Sequence, residues 1–289
     1  MIRKAVFSYY NPDESFGNTG GFVKFSDLIF TTALAIRCAS RHFKEVQFVS
    51  NDWGIDLFRQ FDLPITDYSN KLNELSGVKD VVRYFWAYGK MLAYAMQDKP
   101  FIHLDNDVLL WGPLPPKILN ARLCFQSQEP FNEEGYQYYN ILRECWNNAP
   151  LRPKSITDNE VNDFAYNCGI CGGHNLDFFK EWLAVSREYI FALENHKVIF
   201  EDYKHLLIHH NLWSEQYFGA CLIKKNNLRD KVKILCKDAM DIESKYRYAH
   251  LWGTLKKQID VMSFVRLRMI ERNIELYKRI DDFCKKNNI

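Results

Sequence analysis

Short apolar runs alternate with stretches of helical periodicity along the first third of the chain. Ala5-Val6-Phe7-Ser8-Tyr9-Tyr10 reads as a buried strand, and a helix follows from about Ser26 to His42. Val46 to Ser50 reads as a second strand, and Leu57, Phe58 and Phe61 mark a short helix behind it. This βαβ rhythm predicts a parallel sheet covered on both faces. The loop Asn11 to Gly21, with three Gly and one Pro, would then lie at the C-terminal end of a parallel strand, where such sheets bind ligands.

Further along, Val81 to Met96 is apolar on most sides and predicts a buried helix. Pro100 to Leu104 predicts a central strand that ends on Asp105, and Val108 to Trp111 is followed by a proline-rich turn, Gly112 to Pro116. After a strand from Ala121 to Gln126, the stretch from Glu129 to Asp163 is polar and aromatic and too long for a mere connection. It reads as an irregular, variable, substrate-facing insertion. A strand-turn from Phe164 to Gly173, a helix from Asp177 to about Asn195 and shorter elements around Ser214 to Leu222 and Val232 to Cys236 lead to Tyr248-Ala249-His250. The tail from Gln258 to Lys286 predicts one long amphipathic helix, with Phe264, Leu267, Ile270, Ile274, Tyr277 and Ile280 at helical spacing. Such a helix packs across its own domain or touches a membrane surface.

Composition narrows the picture. A length of 289 residues suits one large α/β domain with an irregular insertion rather than two equal domains, and 47% hydrophobic with 26% charged residues is far from the signature of disorder. A formal net charge of +2, spread without blocks of one sign, gives no case for nucleic acid. No segment reaches the roughly 20 apolar residues that span a bilayer. The N-terminus runs into the first strand without a secretory leader, so the expected location is cytoplasmic. Eight cysteines, most of them in apolar runs, read as buried free thiols.

Two segments carry the chemistry. Asp105 and Asp107 flank Asn106 at the carboxyl edge of the expected central strand, and two hard carboxylates there can hold Mg²⁺ or Mn²⁺. In His250-Leu251-Trp252-Gly253-Thr254-Leu255-Lys256, a neutral imidazole can complete the metal's ligand set. The glycine lets backbone approach a phosphate, and the lysine adds positive charge.

Taken in order, five features resemble the GT-A-fold glycosyltransferases and are most similar to the retaining glycosyltransferase family 8. They are Arg83 on the helix before the central strand, Asp105-x-Asp107, Asn167-x-Gly169 in a strand-turn, the acidic-Gln pair Glu215-Gln216, and His250-x-x-Gly253-x-x-Lys256. Their combination in this order is more specific than any one of them. Glu215 stands where the family usually has Asp, and Lys257 where it usually has Pro.

The resemblance implies an α/β fold of GT-A, Rossmann-like type: a mixed, mostly parallel central sheet flanked by helices, with a long C-terminal helix. A catalytic domain would cover 1–257, with 129–163 as its variable acceptor-side insertion, and 258–289 would be the amphipathic helix packed on it. It implies a metal-dependent transfer of a sugar from a nucleoside-diphosphate sugar, a UDP-sugar by family habit, to a glycan, lipid-linked or protein acceptor, with retention of anomeric configuration. Asp105, Asp107 and His250 would bind Mn²⁺ or Mg²⁺. Gly253 and Lys256 would touch the diphosphate, and Tyr9 and Tyr10 the base or ribose. Asn167, Glu215 and Gln216 would face the sugar or acceptor, and Arg83 would contact phosphate or position carboxylates. Two rival readings are a sugar-phosphate nucleotidyltransferase of similar fold and a non-catalytic nucleotide-sugar-binding protein.

Overall fold

The structure is a computed structural model that describes residues 1–133, 136–236 and 247–289. In chain order its strands are β1 (Lys4–Tyr9), β2 (Glu45–Ser50), β3 (Asp67–Ser69), β4 (Phe101–Leu104), β5 (Val108–Leu110), β6 (Leu123–Pro130), β7 (Phe164–Gly173), β8 (Val232–Ile234) and β9 (Tyr248–His250). They form a seven-stranded sheet, in the order β3-β2-β1-β4-β7-β6-β8, and a two-stranded sheet of β5 and β9. The pairs β1/β2, β2/β3 and β6/β8 are parallel, whereas β6/β7 and β5/β9 are antiparallel. The protein is therefore a mixed α/β fold with a mostly parallel central sheet flanked by helices. No helix among the described residues is long and apolar enough to cross a membrane.

The chain folds into two compact units. One is drawn from Arg3–Asn73, Leu104–Leu114 and Ile242–Ile289. Every residue of β1 is buried, as parallel strands covered on both faces require, and the helix Phe25–Ala39 is buried almost all round. Asn51 starts the helix Asp52–Arg59 by accepting a hydrogen bond from the Gly54 amide. The tail forms two helices, Ile259–Arg272 and Ile274–Asn287, where the apolar spacing predicts one. The break falls at Asn273, whose extended backbone (φ −164°, ψ 85°) and side-chain bond from the Leu276 amide begin a new helix. Hydrophobic periodicity runs through this break because both helices bury the same kind of stripe: Met262, Val265 and Met269, then Leu276, Ile280 and Cys284.

The other unit is drawn from Met1–Ile2, Glu74–His103 and Pro115–Asp241. The helix expected over Val81 to Met96 is interrupted: Lys79–Val82 and Ala87–Ala95 are helical, and Tyr84 and Trp86 are exposed. Asn211 holds the interruption, its amide nitrogen donating to Tyr84 O at 2.7 Å and its amide oxygen accepting from Ala87 N at 2.8 Å. Residues 134 and 135 of the expected insertion lie outside the described residues. The rest of it is more regular than its composition suggests. The strand β6 runs on to Pro130, and Tyr138–Asn148 is a helix that buries Tyr139, Leu142, Cys145 and Trp146 on one face. Asn140, Glu144, Asn147 and Asn148, which add to the polar look of the stretch, are that helix's outer face.

Candidate metal centre and a second polar cluster

The pairing of β5 with β9 builds the first site. Val108 lies opposite His250 in this antiparallel register, and the Leu251 amide donates to Asp107 O at 3.0 Å. His250 is thereby set beside Asp107. A tight turn, closed by Val108 N to Asp105 O at 3.0 Å, brings Asp105 to the same place, and Asn106 anchors that turn by donating to Ser8 O at 2.8 Å. His250 Nε2 stands 3.3 Å from Asp107 Oδ1 and 3.9 Å from Asp105 Oδ2.

One ligand atom from each of Asp105, Asp107 and His250 falls within a 4.8 Å spread, and among the described residues no other group of carboxylates, histidines and cysteines does so. Ligands of a small divalent cation sit about 2.1 Å from it and hence about 3 Å from one another, so this set needs only a slight contraction to hold one. Two carboxylates with an imidazole suit Mn²⁺ better than Mg²⁺, which prefers oxygen ligands and water.

Beyond His250, Gly253 takes φ +58°, the left-handed region that glycine enters at least cost, and opens a 3₁₀ turn, Gly253–Lys257. That turn returns Lys256 to the carboxylates, with its Nζ 2.7 Å from Asp107 Oδ2. The same ammonium lies 3.4 Å from Gly20 O and 5.2 Å from the Phe22 ring centre, on the glycine-bearing loop that follows β1. Burial by itself would raise the Asp107 carboxyl, but the nearby Lys256 ammonium and His250 imidazole hold it well below the usual carboxylate range.

Tyr9 ends β1 inside an aromatic cluster, 5.8 Å from Phe58 and 6.5 Å from Trp53 between ring centres, and its hydroxyl accepts from Asn11. Burial pushes its phenol far up. Tyr10 is only half-buried, so its ring has open surface that Tyr9 lacks.

The remaining candidates lie in the other unit. Glu215 and Gln216 sit on a π-helical turn, Trp213–Tyr217, a form that recurs at functional sites. The Ser214 carbonyl there accepts from Trp182 Nε1 at 3.3 Å and Ser186 Oγ at 3.0 Å. Glu215 is buried and paired: Lys90 Nζ is 2.9 Å from its Oε1, and the Tyr94 hydroxyl donates to the same oxygen at 3.0 Å.

Asn167 accepts from the Gly169 amide at 2.9 Å, which explains the Asn-x-Gly spacing within β7, and donates to Glu129 Oε1 at 2.6 Å. The Tyr139 hydroxyl bridges Glu129 Oε2 at 2.7 Å and Gln216 Oε1 at 2.5 Å. A phenol has one proton, so the second contact needs either a proton on Glu129 or the amide nitrogen of Gln216 turned towards Tyr139. Arg83 is exposed at the end of the short helix Lys79–Val82.

Sequence reading missed Lys90, Tyr94, Glu129 and Tyr139. The legible signal was Lys90, a charge inside the apolar run Ala87 to Ala95 that a buried helix can hold only with a partner.

Fold and site together define a mixed α/β protein with a carboxylate–histidine cluster that could hold a metal ion, and with a lysine against one of its carboxylates. The chain belongs to the family described as a family of unknown function, DUF6734, whose model matches residues 4–283. No curated protein matches it. Among solved structures it is similar to mouse xyloside xylosyltransferase 1 in its apo form, at 12% identity and a TM-score of 0.38, over 81% of this chain and 85% of that one. It is also similar to the PaToxG glycosyltransferase, at 7% identity and a TM-score of 0.34, over 80% of each chain.

Proposed function

We propose that this protein is a metal-dependent glycosyltransferase of GT-A type that takes a sugar from a nucleoside-diphosphate sugar, with UDP as the nucleotide. The observation that carries this reading is the convergence of Asp105, Asp107 and His250 with Lys256 against Asp107. Asp105, Asp107 and His250 would hold Mn²⁺. Its chemistry, when bound, is to neutralise charge on the departing diphosphate. Lys256 adds a second positive charge for the same oxygens, and Gly253 keeps side-chain bulk away from them. Tyr10 offers a ring for the base or ribose, with Tyr9 packed in the core next to it in sequence.

Asn167, Glu215 and Gln216 are proposed to serve the sugar or acceptor, and Arg83 to contact phosphate or position carboxylates. The bonds from Asn167 and Tyr139 to Glu129 support this assignment, because they fix the Asn167 amide and hold a hydroxyl against Gln216 before any substrate arrives. The proposal extends to retention of configuration, which NMR of the product anomer would test. Eight free, buried cysteines support a reducing compartment, consistent with a cytoplasmic location.

The test is nucleotide release from a panel of nucleotide sugars with and without Mn²⁺. Metal-dependent release of free UDP supports a transferase. Pyrophosphate release from a nucleoside triphosphate and a sugar phosphate would instead identify a nucleotidyltransferase. Tight binding without turnover, given any acceptor, would identify a binding protein.

A further inference from the structure

The position of Lys256 bears on how the cation enters, an inference that rests on the cation–diphosphate reading above. Asp107 has both oxygens engaged: Oδ1 faces His250 Nε2 at 3.3 Å, and Oδ2 faces Lys256 Nζ at 2.7 Å. The side chain of Asp107 is only 5% exposed, so little water screens that ion pair. The ammonium therefore cancels much of the negative charge that a divalent cation at Asp105, Asp107 and His250 would draw on, and it repels such a cation at close range.

Lys256 is also held in a way that permits release. Its side chain is 22% exposed, it sits in a short 3₁₀ turn that begins at Gly253, and its other acceptor is the neutral Gly20 carbonyl. Gly20 and Gly21 both take positive φ, +61° and +88°, and a Cβ on Gly21 would lie 3.7 Å from Lys256 Cδ. The lysine stem thus lies along a stretch of loop free of side chains.

We infer that Lys256 couples cation binding to diphosphate binding: without a diphosphate its ammonium occupies Asp107 and opposes the cation, and a diphosphate draws it off. A diphosphate offers oxygens of higher charge than Gly20 O and leaves Asp107 its full charge for the metal. By linkage the effect is reciprocal, so a bound cation strengthens diphosphate binding by the same factor. Such coupling is commonly about 5- to 150-fold.

The experiment is a titration of free Mn²⁺, read by its electron paramagnetic resonance signal, into the full-length protein, Lys256→Met, Lys256→Arg and Asp107→Asn, each with and without saturating UDP. Lys256→Met is expected to bind Mn²⁺ about tenfold or more tightly than the unmodified protein when UDP is absent, and to show a correspondingly smaller gain when UDP is added. Lys256→Arg keeps the charge and should retain the weak binding without UDP. Matching melting temperatures will show that the variants are folded. Mn²⁺ binding by Lys256→Met that is equal to or weaker than that of the unmodified protein, while Asp107→Asn loses the ion, would overturn the coupling and leave the metal site standing. Binding that Asp107→Asn leaves unaltered, or no binding by any form, would overturn both.

Discussion

His250 lies across from Val108 in the antiparallel pair of β5 and β9, and this register places its Nε2 3.3 Å from Asp107 Oδ1. A one-residue slip in so short a ladder would turn the imidazole to the opposite face. His250→Ala and Asp107→Asn are each expected to weaken Mn²⁺ binding by about a hundredfold or more and to abolish metal-dependent turnover. Calorimetric titration with Mn²⁺ checks the first effect and UDP release the second, and far-UV circular dichroism should show the fold retained.

Lys90 and Glu215 form a buried ion pair, at 9% and 1% side-chain exposure. Removing Lys90 takes the counter-ion from a carboxylate in a poorly solvated site, so Lys90→Met should cost about 3 kcal/mol in a denaturant melt. The double variant Lys90→Met with Glu215→Gln should recover most of that loss, because Gln can still accept from Tyr94. Turnover should not recover with stability, since the proposed role of Glu215 needs its carboxylate.

Asn211 satisfies peptide groups on both sides of the interruption between Lys79–Val82 and Ala87–Ala95. Asn211→Ala leaves a buried amide and a carbonyl without that partner and should cost about 2 kcal/mol or more. A lower melting temperature, with faster amide exchange at Ala87, is the expected readout.

His210 is 1% exposed, with its Nε2 3.8 Å from Cys145 Sγ. Burial lowers its pKa from 6.5 to about 4; a bond with the Tyr203 backbone opposes the shift, and His209 and His205 add to it. The unfolded chain therefore takes up a proton at this residue before the folded one does. Its contribution to stability is complete above pH 6.5 and is lost as the pH falls from there towards 4, by up to about 1.4 kcal/mol per unit. His210→Phe should flatten that slope in urea melts recorded between pH 7 and pH 4.5.

Asp105, Asp107, His250 and Lys256 were legible because each belongs to a short motif with its own chemical logic, and the structure brings the four together. The ladder that joins them was not, since β5 and β9 have three residues each, too few for a period-two pattern. Glu129 and Tyr139 stayed hidden for another reason. Their partners Asn167 and Gln216 are distant in sequence, and a polar residue in a polar stretch gives no sign that it is buried. Breaks at Arg83 to Trp86 and at Asn273 escaped because apolar periodicity continues across them, and what marks each break is a side-chain bond to the backbone rather than a proline or glycine.

The π-helical turn at Trp213–Tyr217 makes the chain sensitive to length as well as to identity. That turn already takes up one residue more than α-geometry holds, so one further residue inserted there would rotate everything beyond it by about 100°. Phe218, Cys221 and Leu222, all buried on the helix Phe218–Lys225, would then swing off the face they now fill. Substitutions in this stretch can be absorbed one side chain at a time, but a single-codon insertion is not taken up by the same turn. Between His210 and Gly219 the spacing itself is information that the fold reads.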